Sequence, residues 1–257
     1  MCQEKLKKHL LCRLFCKMNQ IKPRPAVILI AVIFCYLEAA AQHTEKSVTG
    51  SIVIDIGHGG QDTGVSLSGG IYEKNIALNL ARRLEDELFQ KEYKVKLTRT
   101  RDVGLEMADR TAVSNNRKAD VFISLHIGGN FTHQPETVSI FYFDKKSESL
   151  SESADDKSRS QALLWDEIQY QHQSESRGLA KLIQKSLQSR IKFAEIRVRG
   201  APILIARGAD MPAVLIEIGS LCHPEQKKAL QSRQGLSDLA KGISSGIEAF
   251  LQKAPTH

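Results

Sequence analysis

From Glu73 to about Gln90, Ile76, Leu80, Leu84 and Leu88 recur every four residues, with Ala77 and Ala81 beside them. Arg82, Arg83, Asp86 and Glu87 occupy the opposite side, so the pattern predicts an amphipathic helix. Before it, SIVIDI (51–56) is a short β-branched run. After it come YKVKLT (93–98), a helical pattern over 105–117, and DVFISLH (120–126). TVSIFYF (137–143), APILIA (201–206) and PAVLIEI (212–218) complete six strand candidates. Helices are expected from about 174 to 191, with Leu179, Leu182, Ile183 and Leu187 inward, and over 236–252. Residues 144–160, DKKSESLSESADDKSRS, have few apolar side chains and read as a mobile loop. Strands alternating with helices at this spacing predict a single α/β domain. Its mostly parallel, six-stranded twisted sheet would carry helices on both faces. No internal repeat interrupts the pattern.

The first 41 residues follow a different rule. Seven Lys or Arg side chains precede AVILIAVIFCYL (26–37), and EAAAQ follows. A basic start, a short apolar run and a small-x-small site make up a secretory signal. Cleavage is expected between Ala41 and Gln42. The apolar run is shorter than the roughly 20 residues a membrane span needs, although an uncleaved anchor is the competing reading. Met18 is an alternative start that would leave a signal of more ordinary length. Removing 1–41 takes away five of the seven net positive charges, so the basic balance gives no argument for nucleic-acid binding. Four of the five cysteines leave too, and Cys222 remains without an intrachain partner. The 216 residues left can rest on a hydrophobic core. A polar lead-in (42–50) is expected before the domain at 51–253. The address is an exported one, periplasmic or associated with the cell wall, with no stable membrane span after cleavage.

Chemistry gathers at the strand ends. In parallel sheets the binding crevice lies outside the carboxyl ends of the strands. His58 follows 51–56, His126 ends 120–126, and Glu217 lies near the end of 212–218. Glu73 stands where the glycine-rich loop from His58 enters the first helix. Each has a plain rival reading: His58 as a loop histidine, His126 as a hydrogen-bonded strand end, Glu73 as an acid favoured by the helix dipole. Glu217 is harder to dismiss, because an unpaired charge within an apolar run is costly. Two imidazoles and a carboxylate form a donor set known for catalytic zinc with an open position. The glycines around His58 suit a tight turn at such a site better than a phosphate cradle, since no Gly-Lys-Ser/Thr follows them.

IVIDIGHGGQDTG, YEKNIALNLARRLEDEL, VKLTRTRD, LEMADRTAVSNNRKADVFISLH and MPAVLIEIGSL occur here in the order seen in family-3, zinc-dependent N-acetylmuramoyl-L-alanine amidases. The resemblance covers about 51–251. It implies Zn²⁺ held by His58, Glu73 and His126, and Glu217 as the catalytic glutamate. It also implies hydrolysis of the amide joining N-acetylmuramic acid to L-alanine in peptidoglycan. Two other readings are a peptidoglycan-binding protein that has lost turnover and a zinc peptidase cutting the stem peptide. The chain departs from the family pattern at Ile56, at Ile127–Asn130, at Ser220 and at Cys222-His223, which bears on substrate contacts. Some relatives carry a segment that covers the zinc until a partner removes it. The corresponding stretch, 144–177, is a candidate target for an activator protein, with an apolar island at 162–168. Arg110 and Asn115 are expected to hold the connection between helix and strand, and Cys222 to be a buried or half-buried thiol.

Overall fold

The alternating pattern folds into a six-stranded sheet in a computed structural model that describes residues 50–128, 137–144 and 156–253. In chain order the elements are β1 (Ser51–Ile56), β2 (Ser66–Leu67), β3 (Ile71–Tyr72), α1 (Glu73–Phe89), β4 (Lys94–Leu97), α2 (Met107–Arg117) and β5 (Val121–His126). There follow β6 (Thr137–Phe143), α3 (Asp156–Gln171), α4 (Gln173–Gln188), β7 (Glu195–Ala201), a 3-10 turn (Leu204–Ala206), β8 (Ala213–Ile218), α5 (Pro224–Gln231) and α6 (Arg233–Leu251). The main sheet has the order β4-β1-β5-β8-β6-β7, with β2 and β3 forming a separate hairpin. All neighbouring pairs of the main sheet are parallel except β6 and β8. The carboxyl ends of β1, β5 and β8 therefore share one rim.

Alternation along the strands divides the core. Ile52, Ile54, Ile123, Ile140, Ile216 and their neighbours pack with α1, α4 and α6 on one face. Val53, Phe122, Phe141, Phe143 and Leu215 belong to the other face, with Ile203, Ala206 and Met211. Helix α2 and the 3-10 turn cover part of that second face, which leaves room for a cleft beside it. The α6 helix starts at Ser232, whose hydroxyl accepts a hydrogen bond from Gly235 N–H at 2.9 Å and satisfies one of the first-turn donors.

Two expectations are corrected. The sixth strand is Glu195–Ala201, not 201–206. EIRVRGA alternates, with Ile196 and Val198 turned toward the α4–α6 core, whereas the continuous apolar run after it begins with Pro202 and curls into a 3-10 turn. Proline fixes φ and supplies no N–H for a strand ladder. The loop expected over 144–160 gives way to helix from Asp156 onward. Residues 145–155 lie outside the described residues, as do the expected signal and lead-in up to residue 49. The second half of α3 is anchored to the loop after the 3-10 turn. Trp165 O accepts a hydrogen bond from Gly208 N–H, Asp166 pairs with Arg207 at 2.6 Å, and Gln169 donates to the carbonyls of Ala209 and Met211. Helix α5 and the β2–β3 hairpin were not expected. Both are short elements whose few apolar positions give no clear period.

The approach of α4 to α6 depends on two glycines. A Cβ at Gly246 would lie 2.7 Å from Ile183 N, and one at Gly242 would meet the Leu187 side chain. Gly178, within α4, has nothing in reach of such an atom. Gly246→Ala is therefore expected to destabilise the fold by about 1–3 kcal/mol through overpacking. Gly178→Ala should stabilise it by about 0.5–1 kcal/mol by removing helix-interior glycine. Urea unfolding midpoints of the two variants, moving in opposite directions, check the assignment.

Candidate metal centre

β1 delivers the chain to His58, which has φ 60°, in the left-handed region. Histidine enters that region more readily than most side chains. The loop then turns back so that Val65 O accepts a hydrogen bond from Glu73 N–H at 2.9 Å. This places the first residue of α1 beside His58, while β5 brings His126 from the adjacent strand. The ligand-type atoms of His58, Glu73 and His126 all lie within 4.8 Å of one another.

Glu73 is the centre of the arrangement. Only 2 % of it is exposed. One carboxylate oxygen, Oε1, lies 3.0 Å from His58 Nε2 and 3.3 Å from His126 Nδ1, and accepts from Ile127 N–H at 2.8 Å. The other, Oε2, accepts from Val65 N–H at 2.9 Å. Burial pushes the carboxyl's pKa up, but hydrogen bonds from both imidazoles and from these two backbone N–H groups outweigh it and bring it to about 2. The hydrogen bond to Glu73 raises His58 to about 9 against the opposing effect of burial. A metal cation entering this cluster would displace the proton that the imidazole otherwise holds.

The surroundings fit such an ion. A Cβ at Gly57 would sit 2.5 Å from the His126 ring. At Gly64 it would sit 2.5 Å from Glu73 Oε2 and 2.6 Å from His58. These glycines therefore keep the space into which the three donors converge. Asp62 Oδ2 lies 2.8 Å from His58 Nδ1 and Asp62 Oδ1 accepts from Gly64 N–H at 3.0 Å. A carboxylate on one ring nitrogen directs the other toward a metal and fixes the ring. The donor set matches that of catalytic zinc.

Glu217 does not belong to the three-residue cluster but stands next to it. Its register partner on β5 is His126, so the two side chains lie side by side on one face of the sheet. Glu217 is 4 % exposed. With His58, Asp62, Arg110 and His126 it lines a cleft of about 580 Å³, whose other walls include Leu105, Met107, Phe141, Ile203 and Leu215. No residue of α3 is among the described lining residues. All four residues expected from the sequence thus meet at one rim.

The sequence reading missed the polar support beneath the His58 turn. Asp55, fully buried on β1, accepts from Thr98 Oγ1, Arg110 and Ser124 Oγ at 2.7–3.0 Å. Arg99 donates to the carbonyls of Ile56, Gly57 and Lys74. Lys74 and Gly60 N–H both reach Asp102, each at 2.7 Å. Asp55 carried the same signal as Glu217, an acid inside an apolar strand. Asp62, four residues after a candidate ligand, offered only a suggestive spacing. Arg110 joins α2 to the end of β1 as expected, whereas Asn115 instead binds Gly208 O and Asp210 N–H. Cys222 is exposed rather than buried, because it sits on the surface turn between Ser220 and α5. His172 is held by Glu175 and Asp210, and His133 lies outside the described residues. No described helix is long and apolar enough to cross a membrane.

A family model described as N-acetylmuramoyl-L-alanine amidase matches residues 52–249. Among curated relatives, the amidase AmiC of Neisseria meningitidis is 29% identical, the match covering 78% of this chain and 52% of that protein. The endolysin of Bacillus phage SPP1 is 31% identical, covering 77% and 65%. The chain thus spans about half the length of AmiC. Among solved structures, an N-acetylmuramoyl-L-alanine amidase from Clostridium difficile 630 is 27% identical with a TM-score of 0.63, covering 81% of this chain and 100% of that one.

If Asp62 fixes the His58 ring, Asp62→Ala weakens binding of a divalent transition metal about 10–100-fold, whereas His172→Ala does not change it. Competition against a chromophoric chelator measures both, and an unchanged affinity in Asp62→Ala contradicts the assignment.

Proposed function

The chain belongs to the N-acetylmuramoyl-L-alanine amidase family, and we propose that it hydrolyses the amide between the lactyl group of N-acetylmuramic acid and L-alanine in peptidoglycan. In this reading His58, Glu73 and His126 hold Zn²⁺ and Glu217 is the catalytic acid-base. The observation that carries it is the placing of Glu217 beside His126, at the edge of a three-donor cluster and inside the cleft.

Zinc bound to these residues would polarise a carbonyl and make water more acidic. The protein's own groups account for the rest. Glu217 takes a proton from the attacking water as its oxygen adds to the lactyl carbonyl carbon. When the carbon–nitrogen bond breaks, the same carboxyl gives that proton to the alanine nitrogen, which leaves as a free amine. Glu217 must be ionised at the start and must lie close to the attacked carbon without being a ligand. The apolar wall formed by Leu105, Met107, Phe141 and Leu215 keeps water from the far side of the cleft and strengthens these charge interactions.

Export fits the same reading, with residues 1–41 as a signal that brings the catalytic domain to its polymeric substrate. An activator acting through 144–177 would find the second half of α3 already fastened to the loop at 207–211.

The test uses purified residues 42–257, incubated with peptidoglycan with and without added zinc, the products being identified by mass spectrometry. Zinc-dependent release of peptides that begin with a free L-alanine amine is expected. Cleavage within the stem peptide instead would identify a peptidase, and no release from the zinc-loaded protein would contradict turnover. Glu217→Ala is expected to keep zinc and lose at least about 100-fold in kcat, the scale of a general acid-base group, whereas His58→Ala loses both zinc and activity. Equal zinc loss in the two variants contradicts the division of roles.

A further inference from the structure

The sheet register extends the row that contains His126 and Glu217. Glu217 on β8 is opposite Ser139 on β6, and Ser139 is opposite Arg197 on β7. One step along the strands, Leu215 is opposite Phe141, which is opposite Arg199. Phe141 and Leu215 line the cleft, as does Ala201, two residues beyond Arg199 on the same strand. Because side chains alternate along a strand, Arg197, Arg199 and Ala201 share this face. Ile196 and Val198 confirm the alternation by packing in the core on the opposite face. Two guanidinium-bearing positions therefore continue the floor of the cleft away from the proposed catalytic centre.

We propose that Arg197 and Arg199 form a carboxylate-binding subsite for the leaving peptide, recognising the free carboxylate of the residue that follows L-alanine. The inference rests on the amidase reading and assigns the side of the cleft along which the stem peptide lies. The dimensions agree. Two strand spacings separate Glu217 from Arg197, about 10 Å, and two extended residues span about 7 Å, leaving the remainder to the arginine side chain. Ser139 lies between Glu217 and Arg197, and the apolar pair Phe141 and Leu215 in the adjacent row, which leads to Arg199, suits the alanine methyl. Arginine is suited to this task because its planar fork meets a carboxylate through two parallel hydrogen bonds. Glu195, two residues before Arg197, pairs with it at 2.6 Å and has 61% of its side chain exposed. An incoming carboxylate would compete with that exposed surface acid for Arg197.

The experiment compares two muramyl tetrapeptides that differ only in the second residue of the peptide, one with a free α-carboxylate and the other with the carboxamide. Zinc-loaded residues 42–257 are expected to favour the carboxylate about ten-fold or more in kcat/KM. In the Arg197→Gln/Arg199→Gln protein the preference should disappear through a raised KM for the carboxylate substrate, with kcat and the carboxamide kinetics unchanged. Lysine at both positions should restore part of the preference. Zinc content and unfolding midpoint, checked on each variant, separate loss of the subsite from loss of the fold. Discrimination that survives in the glutamine variant, or a wild-type protein that cleaves both substrates equally, overturns the subsite. Cleavage of neither by the zinc-loaded wild-type protein overturns the amidase reading and, with it, this inference.

Discussion

One buried carboxylate sets the demands that the rest of the site meets. Glu73 is removed from water, so its charge needs donors on every side. They come from four separate places: His58 after β1, Val65 in the returning loop, His126 at the end of β5 and Ile127 just beyond it. These segments can converge only if β1 and β5 are neighbours, if the loop folds back, and if α1 starts where it does. The order of the central strands is therefore bound up with one hydrogen-bonded oxygen pair.

A second set of polar contacts holds the loop in that shape. His58 occupies left-handed backbone, and the turn behind it is braced by side chains from the loop after β4, from α2 and from the start of α1. Asp55 is surrounded by donors, and Arg99 spends its guanidinium on carbonyl oxygens instead of on substrate. Buried charges arranged in this way contribute position more than stability. Their effect is to keep the imidazoles and the carboxylate pointing inward before any ion arrives. Small residues do the complementary work, since Gly57 and Gly64 leave the volume that a methyl group would fill.

The four principal side chains were legible in the sequence because strand ends in a parallel sheet carry predictable geometry. His126 and Glu217 are placed by that rule alone, and His58 by the glycines beside it. Five of the six main strands and helices α1, α2, α4 and α6 were legible for the same reason, each having a clear period. The sixth strand was missed because hydrophobicity was read without alternation. APILIA is more apolar than EIRVRGA, yet only the latter has the period of a strand with two different faces. The arginines that interrupt it stand on the sheet face that also carries Phe141 and Ala201. The support network was invisible for another reason: Asp62, Lys74, Arg99 and Asp102 act through contacts between distant segments, and polar residues near glycines look like ordinary loop composition. The hydrogen bonds of the second half of α3 likewise depend on a loop some forty residues away.

The proposed role of His58, Glu73 and His126 is to take a metal ion with one position left open. X-ray absorption at the zinc edge of the zinc-loaded protein tests it most directly. The expected shell has two imidazole nitrogens and one carboxylate oxygen, completed by solvent, all at about 2.0–2.2 Å. A sulfur neighbour at about 2.3 Å would place the zinc on Cys222, and a shell without histidine would place it elsewhere on the surface. Either result would contradict the claim.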